Sequence, residues 1–351
     1  MAMRPAVISL LMLTISAMCP DALAQTCGPF GNPPQAMVQN EVPSCTGGRV
    51  LGPWNDSDGT PRYACLFTPE AAGPSNPLPM VIFLHPSLTT ADSTETATNW
   101  LEYLNSASVS TNPASPGFIL LAPEGRDTTH YYPAPDNEGP GWDNWYRQLN
   151  PAGDVSISGQ TYRENVDAAT IDHFASQVTS SGIVKSDQIY ISGWSNGAAM
   201  GYLYGLSRPS VAAIGVYSAP DPFGAFNDPC PQSPVFKRPA SITEIRVYNP
   251  GVPTMHVHND CDIAGICPNG EYLKGQLEGI GIGTDDTIIN QLTLQVPSCM
   301  EACGTNPDGD PNNTLAVSLG TANHVRWPAD WLAAMLEFFH EHPKAARTTS
   351  R

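Results

Sequence analysis

A serine, a histidine and a pair of aspartates, far apart along this chain, are the residues whose types and surroundings could do chemistry together. Ser195 sits in Gly193-Trp194-Ser195-Asn196-Gly197, after the β-forming run Gln188-Ile189-Tyr190-Ile191-Ser192 and before the helix-compatible Ala198-Ala199-Met200. A serine hydroxyl is a weak nucleophile until a base stands beside it. A sharp strand-to-helix turn lifts it clear of a sheet, and the flanking glycines allow a backbone approach that a Cβ would obstruct. The bare pentapeptide is a weak signal in a chain with 30 glycines; its place between a strand pattern and a helix pattern gives it weight.

A base should lie further on. His324 follows the strand-like Leu315-Ala316-Val317-Ser318-Leu319 and precedes the last helical pattern, so its loop can reach back over a sheet to Ser195. There an imidazole would take the hydroxyl proton and later give it to a leaving group. Between the two, the strand-like Pro253-Thr254-Met255-His256-Val257-His258 runs into Asn259-Asp260-Cys261-Asp262. Asp260 or Asp262, at a strand end, could accept from the Nδ1–H of the ring and stabilise the imidazolium. The order serine, acid, histidine is the one expected of hydrolases built on an open sheet. A developing oxyanion needs donors already in place, each worth about 3 kcal/mol. The backbone N–H of Asn196 is the first, and Ser87 is the second, because its neighbour Pro86 has no N–H to offer.

These residues need a scaffold of alternating strands and helices. The run Pro79-Met80-Val81-Ile82-Phe83-Leu84, which ends abruptly in the turn His85-Pro86-Ser87, and the run at 117–123 are apolar, as suits parallel strands covered on both faces. Further strands are expected at 188–192, 212–217, 253–258 and 315–319. A helical pattern places Ala97, Leu101 and Leu104 on one face. Another, over 162–181, aligns Ile171, Phe174, Ala175 and Val178 and stops at Gly182, and a closing one aligns Leu332, Met335, Leu336 and Phe339. The result is an α/β fold, a mostly parallel sheet with helices on both faces. Functional residues in such sheets gather at the carboxyl ends of the strands, which is where Ser195, the acid and His324 fall. Residues 126–160 read as a long polar loop rich in Tyr and Trp, and loops of that size are often functional.

Residues 1–24 read as a secretory signal peptide, with Arg4, the apolar stretch 7–18 and the cleavage site Ala22-Leu23-Ala24, so processing is expected after Ala24. No other run is long and apolar enough to span a bilayer, and the expected location is extracellular or periplasmic. The expected domains are an N-terminal extension over 25–79, with a strand or hairpin near 62–67, packed on a catalytic domain over 80–351. A formal charge of −17 repels phosphates and anionic lipid, which disfavours nucleic acid and membrane as partners. Beyond residue 24 the cysteines are Cys27, Cys45, Cys65, Cys230, Cys261, Cys267, Cys299 and Cys303, an even set that favours disulfides over zinc in an exported chain. Proximity suggests Cys261 with Cys267 and Cys299 with Cys303. Asn55-Asp56-Ser57 and Asn312-Asn313-Thr314 are glycosylation sequons, used only where the source makes N-glycans. His256 and His258 share a strand face without a third ligand. Asp308-Gly309-Asp310-Pro311-Asn312 lacks the glycine and late glutamate of a full calcium loop. No metal, cofactor or obligate protein partner is expected.

Taken together, Leu84-His85-Pro86, Gly193-Trp194-Ser195-Asn196-Gly197-Ala198, His258-Asn259-Asp260-Cys261-Asp262 and Asn323-His324-Val325-Arg326-Trp327-Pro328 resemble the motifs of secreted α/β-hydrolase esterases of the polyhydroxybutyrate depolymerase and feruloyl esterase family. Gly141-Trp142-Asp143-Asn144-Trp145-Tyr146 resembles that family's Trp-rich segment, and the likeness spans about residues 78–342. It implies a triad of Ser195, Asp262 and His324 acting on a carboxylic ester through an acyl-enzyme. It also favours Asp262 over Asp260. Family glycines are replaced here by Pro86, Ala198, Asn259 and Asn323. Trp194, Trp142, Trp145 and Trp327 are expected to wall an acyl or aromatic subsite, with core packing as the alternative. A polyester depolymerase is the leading expectation. A feruloyl or acetyl esterase of plant polysaccharide, and a catalytically weak binding protein of the same fold, are the alternatives.

Overall fold

A computed structural model describes residues 35–36, 41–56, 59–106, 109, 116–129, 138–142, 148–149, 155–157, 160–162, 166–220, 222, 236–237, 248–258, 275, 277–279, 284–285 and 324–344. The expected signal peptide, Asp260, Asp262, Trp145, the strand at 315–319, the calcium-like turn and the proposed cysteine pairs lie outside them.

An eight-stranded sheet organises the chain: β1 (Arg49–Asn55), β2 (Pro61–Phe67), β3 (Leu78–Leu84), β4 (Ile119–Pro123), β5 (Val184–Trp194), β6 (Ala213–Tyr217), β7 (Thr254–Val257) and β8 (Thr284–Asp285). Its order is β8-β7-β6-β5-β3-β4-β2-β1. From β4 to β8 each neighbouring pair runs parallel, while β1 and β2 are antiparallel to each other and β2 to β4. Residues 49–67, within the segment expected as an N-terminal extension, therefore supply the edge strands of the same sheet. Cys45 is disulfide-bonded to Cys65 on β2, with Cα atoms 5.3 Å apart. The Asp92 carboxylate accepts the N–H of Cys45 at 2.9 Å and of Ser44 at 3.2 Å, which ties that stretch to the segment after β3.

The two faces of the sheet bury separate cores, as period-two side-chain alternation requires. Met80, Ile82 and Leu84 of β3 pack with Ile171, Phe174 and Val178 of α3 (Val166–Ser180) and with Met200 and Leu206 of α4 (Asn196–Ser207). Val81 and Phe83 face the other way, toward Trp100 of α2 (Trp100–Tyr103) and Met335, Leu336 and Phe339 of α5 (Leu332–Glu341). The helix read through Ala97, Leu101 and Leu104 is two single turns, α1 (Ser93–Thr96) and α2. Three β-branched threonines, Thr94, Thr96 and Thr98, and the turn-forming Asn99 interrupt the periodicity there. α3 ends as read, with Gly182 at φ +78°.

The stretch 126–160 is not a structureless loop. Arg126–Thr129 pairs antiparallel with Glu138–Gly141, and Gln35–Ala36 adds a third strand. Strands such as Arg-Asp-Thr-Thr and Glu-Gly-Pro-Gly carry no apolar alternation, so the hydrophobic pattern could not announce them.

A cluster of buried charges fastens the edge of the sheet to α3. Arg62 bonds Asp56 at 3.1 Å and Asp167 at 2.6 Å, and donates to the carbonyl of Glu124 at 3.1 Å; Arg126 reaches Asp56 at 3.1 Å. Arg62 is fully buried and Arg126 nearly so. Attraction between buried charges barely offsets their dehydration, but removing one partner strands the other in a low dielectric. Arg62→Met should therefore lower unfolding free energy by about 3 kcal/mol, because Asp56 and Asp167 each lose a buried guanidinium partner. Urea unfolding of the variant against wild type measures this.

Candidate active site

The carboxyl ends of four strands form one rim. Leu84 pairs with Gly193, Trp194 with Tyr217, and Tyr217 with Val257, so Ser195, Ser218 and His258 follow level positions and His85 follows one residue position earlier. Ser195 leaves β5 at φ 55°, ψ −120° and its N–H donates to the carbonyl of Tyr217 at 3.0 Å; α4 begins at the next residue. Positive φ is costly for a residue with a Cβ, and it survives here because the strand before and the helix after leave no other path. The elbow glycines answer two different needs. A Cβ on Gly193 would overlap the carbonyl of Gly197, and one on Gly197 would overlap the carbonyl oxygens of Leu84 and His85. The second contact presses the end of β3 against the start of α4.

Ser195 Oγ lies 2.7 Å from His324 Nε2. The other ring nitrogen, Nδ1, lies 2.7 Å from Ser218 Oγ, and the carbonyl of His324 accepts the indole N–H of Trp194 at 2.9 Å. Ser195 is nearly buried and His324 is half-buried. The structure thus brings together Ser195 and His324, read from the sequence as partners. It adds Ser218, a residue that no pattern singled out. The signal that could have found it is its place directly after the apolar run 212–217, at a strand end beside the elbow strand. Asp260 and Asp262 are outside the described residues.

The backbone N–H of Asn196 is at the first position of α4, where no intrahelical acceptor exists. Its side chain is committed elsewhere. The amide accepts the N–H of Trp142 at 2.6 Å and donates to the carbonyl of Trp142 at 3.0 Å, a reciprocal clamp that the sequence did not reveal. Ser87 is half-buried on the turn after β3, and the following residue, Leu88, has φ 61° and donates to the carbonyl of Pro140 at 2.8 Å. Proline at 86 is accommodated because that turn is held by other groups: the His85 carbonyl accepts the indole N–H of Trp142 at 2.9 Å, and the Pro86 carbonyl accepts the Thr89 hydroxyl at 2.8 Å.

Of the four tryptophans expected around a subsite, the three that are described are all buried. Trp142 is completely buried, 5.0 Å from the His85 ring. Trp194 and Trp327 are buried with their rings 5.8 Å apart, against Tyr217, Phe83 and Trp100. Trp145 lies outside the described residues. His256, weighed above as a metal ligand, packs its ring against Tyr202 at 5.8 Å and His258 at 5.2 Å.

The elbow, the helix behind it and the strand order define an α/β-hydrolase fold. No protein-family model matches the chain, and no curated protein matches it by sequence. Among solved structures, an S-formylglutathione hydrolase from Agrobacterium tumefaciens is similar over 88% of this chain and 99% of its own, with a TM-score of 0.50 at 10% identity. A thermostable esterase aligns with 86% of this chain and 64% of its own, with a TM-score of 0.47 and 14% identity. SOBER1 of Arabidopsis thaliana aligns with 61% of this chain and 89% of its own, with a TM-score of 0.41 and 13% identity. At such identities the likeness is one of fold.

His85 supports this corner as a neutral ring. It accepts the N–H of Gly125 on Nε2 at 2.8 Å and, protonated on Nδ1, donates to the carbonyl of Pro86 at 2.8 Å. Burial disfavours its charged form and lowers its pKa to about 4. The unfolded chain, with an imidazole of ordinary pKa near 6.5, binds the proton first, so stability is full above that value and falls on acidification toward 4. The loss attributable to His85 amounts to about 3 kcal/mol across that window. The stability of His85→Gln, measured from pH 7 to pH 4.5, should vary less steeply with pH than that of wild type.

Proposed function

We propose that this chain is a secreted serine carboxylic-ester hydrolase. The observation that carries the reading is the 2.7 Å approach of His324 Nε2 to the oxygen of a serine held at positive φ on the elbow. That geometry suits a base and the nucleophile it activates. Ser195 Oγ bonds to the ester carbonyl carbon as its proton passes to Nε2. The carbonyl becomes an oxyanion beside the N–H groups of Asn196 and Ser87. Collapse expels the alcohol, which takes the proton from Nε2, and leaves an acyl-serine. Water then attacks that ester, giving its proton to Nε2, and the acid departs as Ser195 recovers its hydrogen. Asp262, or Asp260, is proposed as the carboxylate that stabilises the imidazolium.

The burial of Trp142, Trp194 and Trp327 favours packing and positioning over direct contact with substrate. Leu88 and Val325 are 55% and 63% exposed, one residue beyond Ser87 and His324 respectively. Apolar surface at those places favours an aliphatic acyl or polyester chain over a hydrated polysaccharide, in keeping with the polyhydroxybutyrate depolymerase motifs. Export is proposed from the leader at 1–24. The Cys45–Cys65 disulfide supports it, and no described helix is long and apolar enough to cross a membrane.

A fluorophosphonate should label wild type and leave Ser195→Ala unmarked, and that variant should lose turnover of soluble aryl esters on the order of 10⁴-fold or more. Labelling that persists in Ser195→Ala would place the nucleophile elsewhere. Wild type should release hydroxyacid from a polyester film faster than ferulate from arabinoxylan; the opposite ranking would assign the enzyme to plant polysaccharide.

A further inference from the structure

The hydroxyl of Ser218 meets the ring nitrogen of His324 that Ser195 does not use. We propose that Ser218 is a positioning residue that selects the working tautomer and orientation of His324, an inference that rests on the roles given above to Ser195 and His324.

To accept a proton from Ser195, His324 Nε2 must be bare in the resting enzyme, so a neutral ring carries its hydrogen on Nδ1. At 2.7 Å, Nδ1–H donates to Ser218 Oγ, an acceptor that acts together with the carboxylate proposed above. The inverted tautomer would point a hydrogen from Nε2 at Ser195 and disable the base. A hydroxyl that accepts from Nδ1–H lowers the energy of the productive tautomer, and it goes on accepting when the ring becomes imidazolium. Both nitrogens are then addressed by serine oxygens from adjacent strands, while Trp194 Nε1–H anchors the His324 carbonyl.

Two further features separate this role from that of an ordinary strand end. The N–H of Ser218 already donates to the carbonyl of Val257 at 2.7 Å, so continuing the sheet does not require the hydroxyl. Ser218 also has φ 57°, a conformation that glycine adopts without penalty and serine does not. Tyr217 pairs with Trp194 in register, so Ser218 and Ser195 follow equivalent strand positions, and each leaves its strand at positive φ. Strain of this kind persists where surrounding structure enforces it, and it gathers at functional sites.

Ser218→Ala removes the hydroxyl and keeps the strained Cβ; Ser218→Gly removes both. Both variants should lose about tenfold or more in kcat on an aryl ester with KM changed by no more than about twofold. Ser218→Gly should melt at or above the wild-type temperature, so that activity and stability part. In 15N spectra of histidine-labelled protein, with His324 assigned by its own replacement, the neutral ring should be Nδ1–H in wild type and show a smaller Nδ1–H share in both variants. Full kcat with an unchanged Nδ1–H ring in Ser218→Gly, alongside an inactive Ser195→Ala, would overturn this role and leave the nucleophile and base standing. An active Ser195→Ala would instead remove the reading on which it rests.

Discussion

Two parallel strands, β5 and β6, end opposite each other at Trp194 and Tyr217, and this alignment governs the site. Register in a parallel sheet is fixed by which side chains each face must bury, and here both faces are buried from Gln188 to Trp194 of β5 and along all of β6. A slip of one residue would exchange Ile191 and Tyr190 between cores built for different shapes. The strand ends therefore cannot drift. With them are fixed the origins of Ser195, of Ser218 and, through the neighbouring strand β3, of the turn at His85-Pro86-Ser87.

From that rim the structure is held by close main-chain approaches and by side chains that bond to the main chain. Gly197 lets the helix start touch the end of β3. Gly125, after β4, donates to His85, and an added Cβ on it would overlap the carbonyl of Gly141. Glu124 joins this corner to the buried charges, since its carbonyl accepts from Arg62 while its carboxylate accepts the N–H of Ala91 at 2.5 Å. A continuous set of hydrogen bonds thus runs from the ion pairs at the sheet edge, through His85 and Trp142, to Asn196 beside the serine.

The sequence made legible whatever depends on burial. The apolar runs that became β3, β4, β5 and β6, the amphipathic faces of α3 and α5, and the strand-to-helix corner at Ser195 all follow from hydrophobic period and glycine placement. Polar pairing left no such trace. The hairpin of Arg126–Thr129 with Glu138–Gly141 has no alternation, the Cys45–Cys65 bond could not be chosen among many connectivities, and the Asn196–Trp142 clamp joins residues 54 positions apart. Arg62 and Asp167 are 105 residues apart, and nothing in either neighbourhood foretells that they are buried together. Ser218 was hidden for a different reason: a lone serine after a strand carries no motif, and only the register reveals what it faces.

The clamp on Trp142 also shapes what an arriving molecule can meet. With both ends of the Asn196 amide engaged by another backbone, that side chain is not left to meet an arriving molecule, and the corner next to Ser195 presents the peptide N–H of Asn196. For the ester hydrolase proposed above, discrimination among substrates then falls to other side chains, which can be exchanged without disturbing Ser195 and His324.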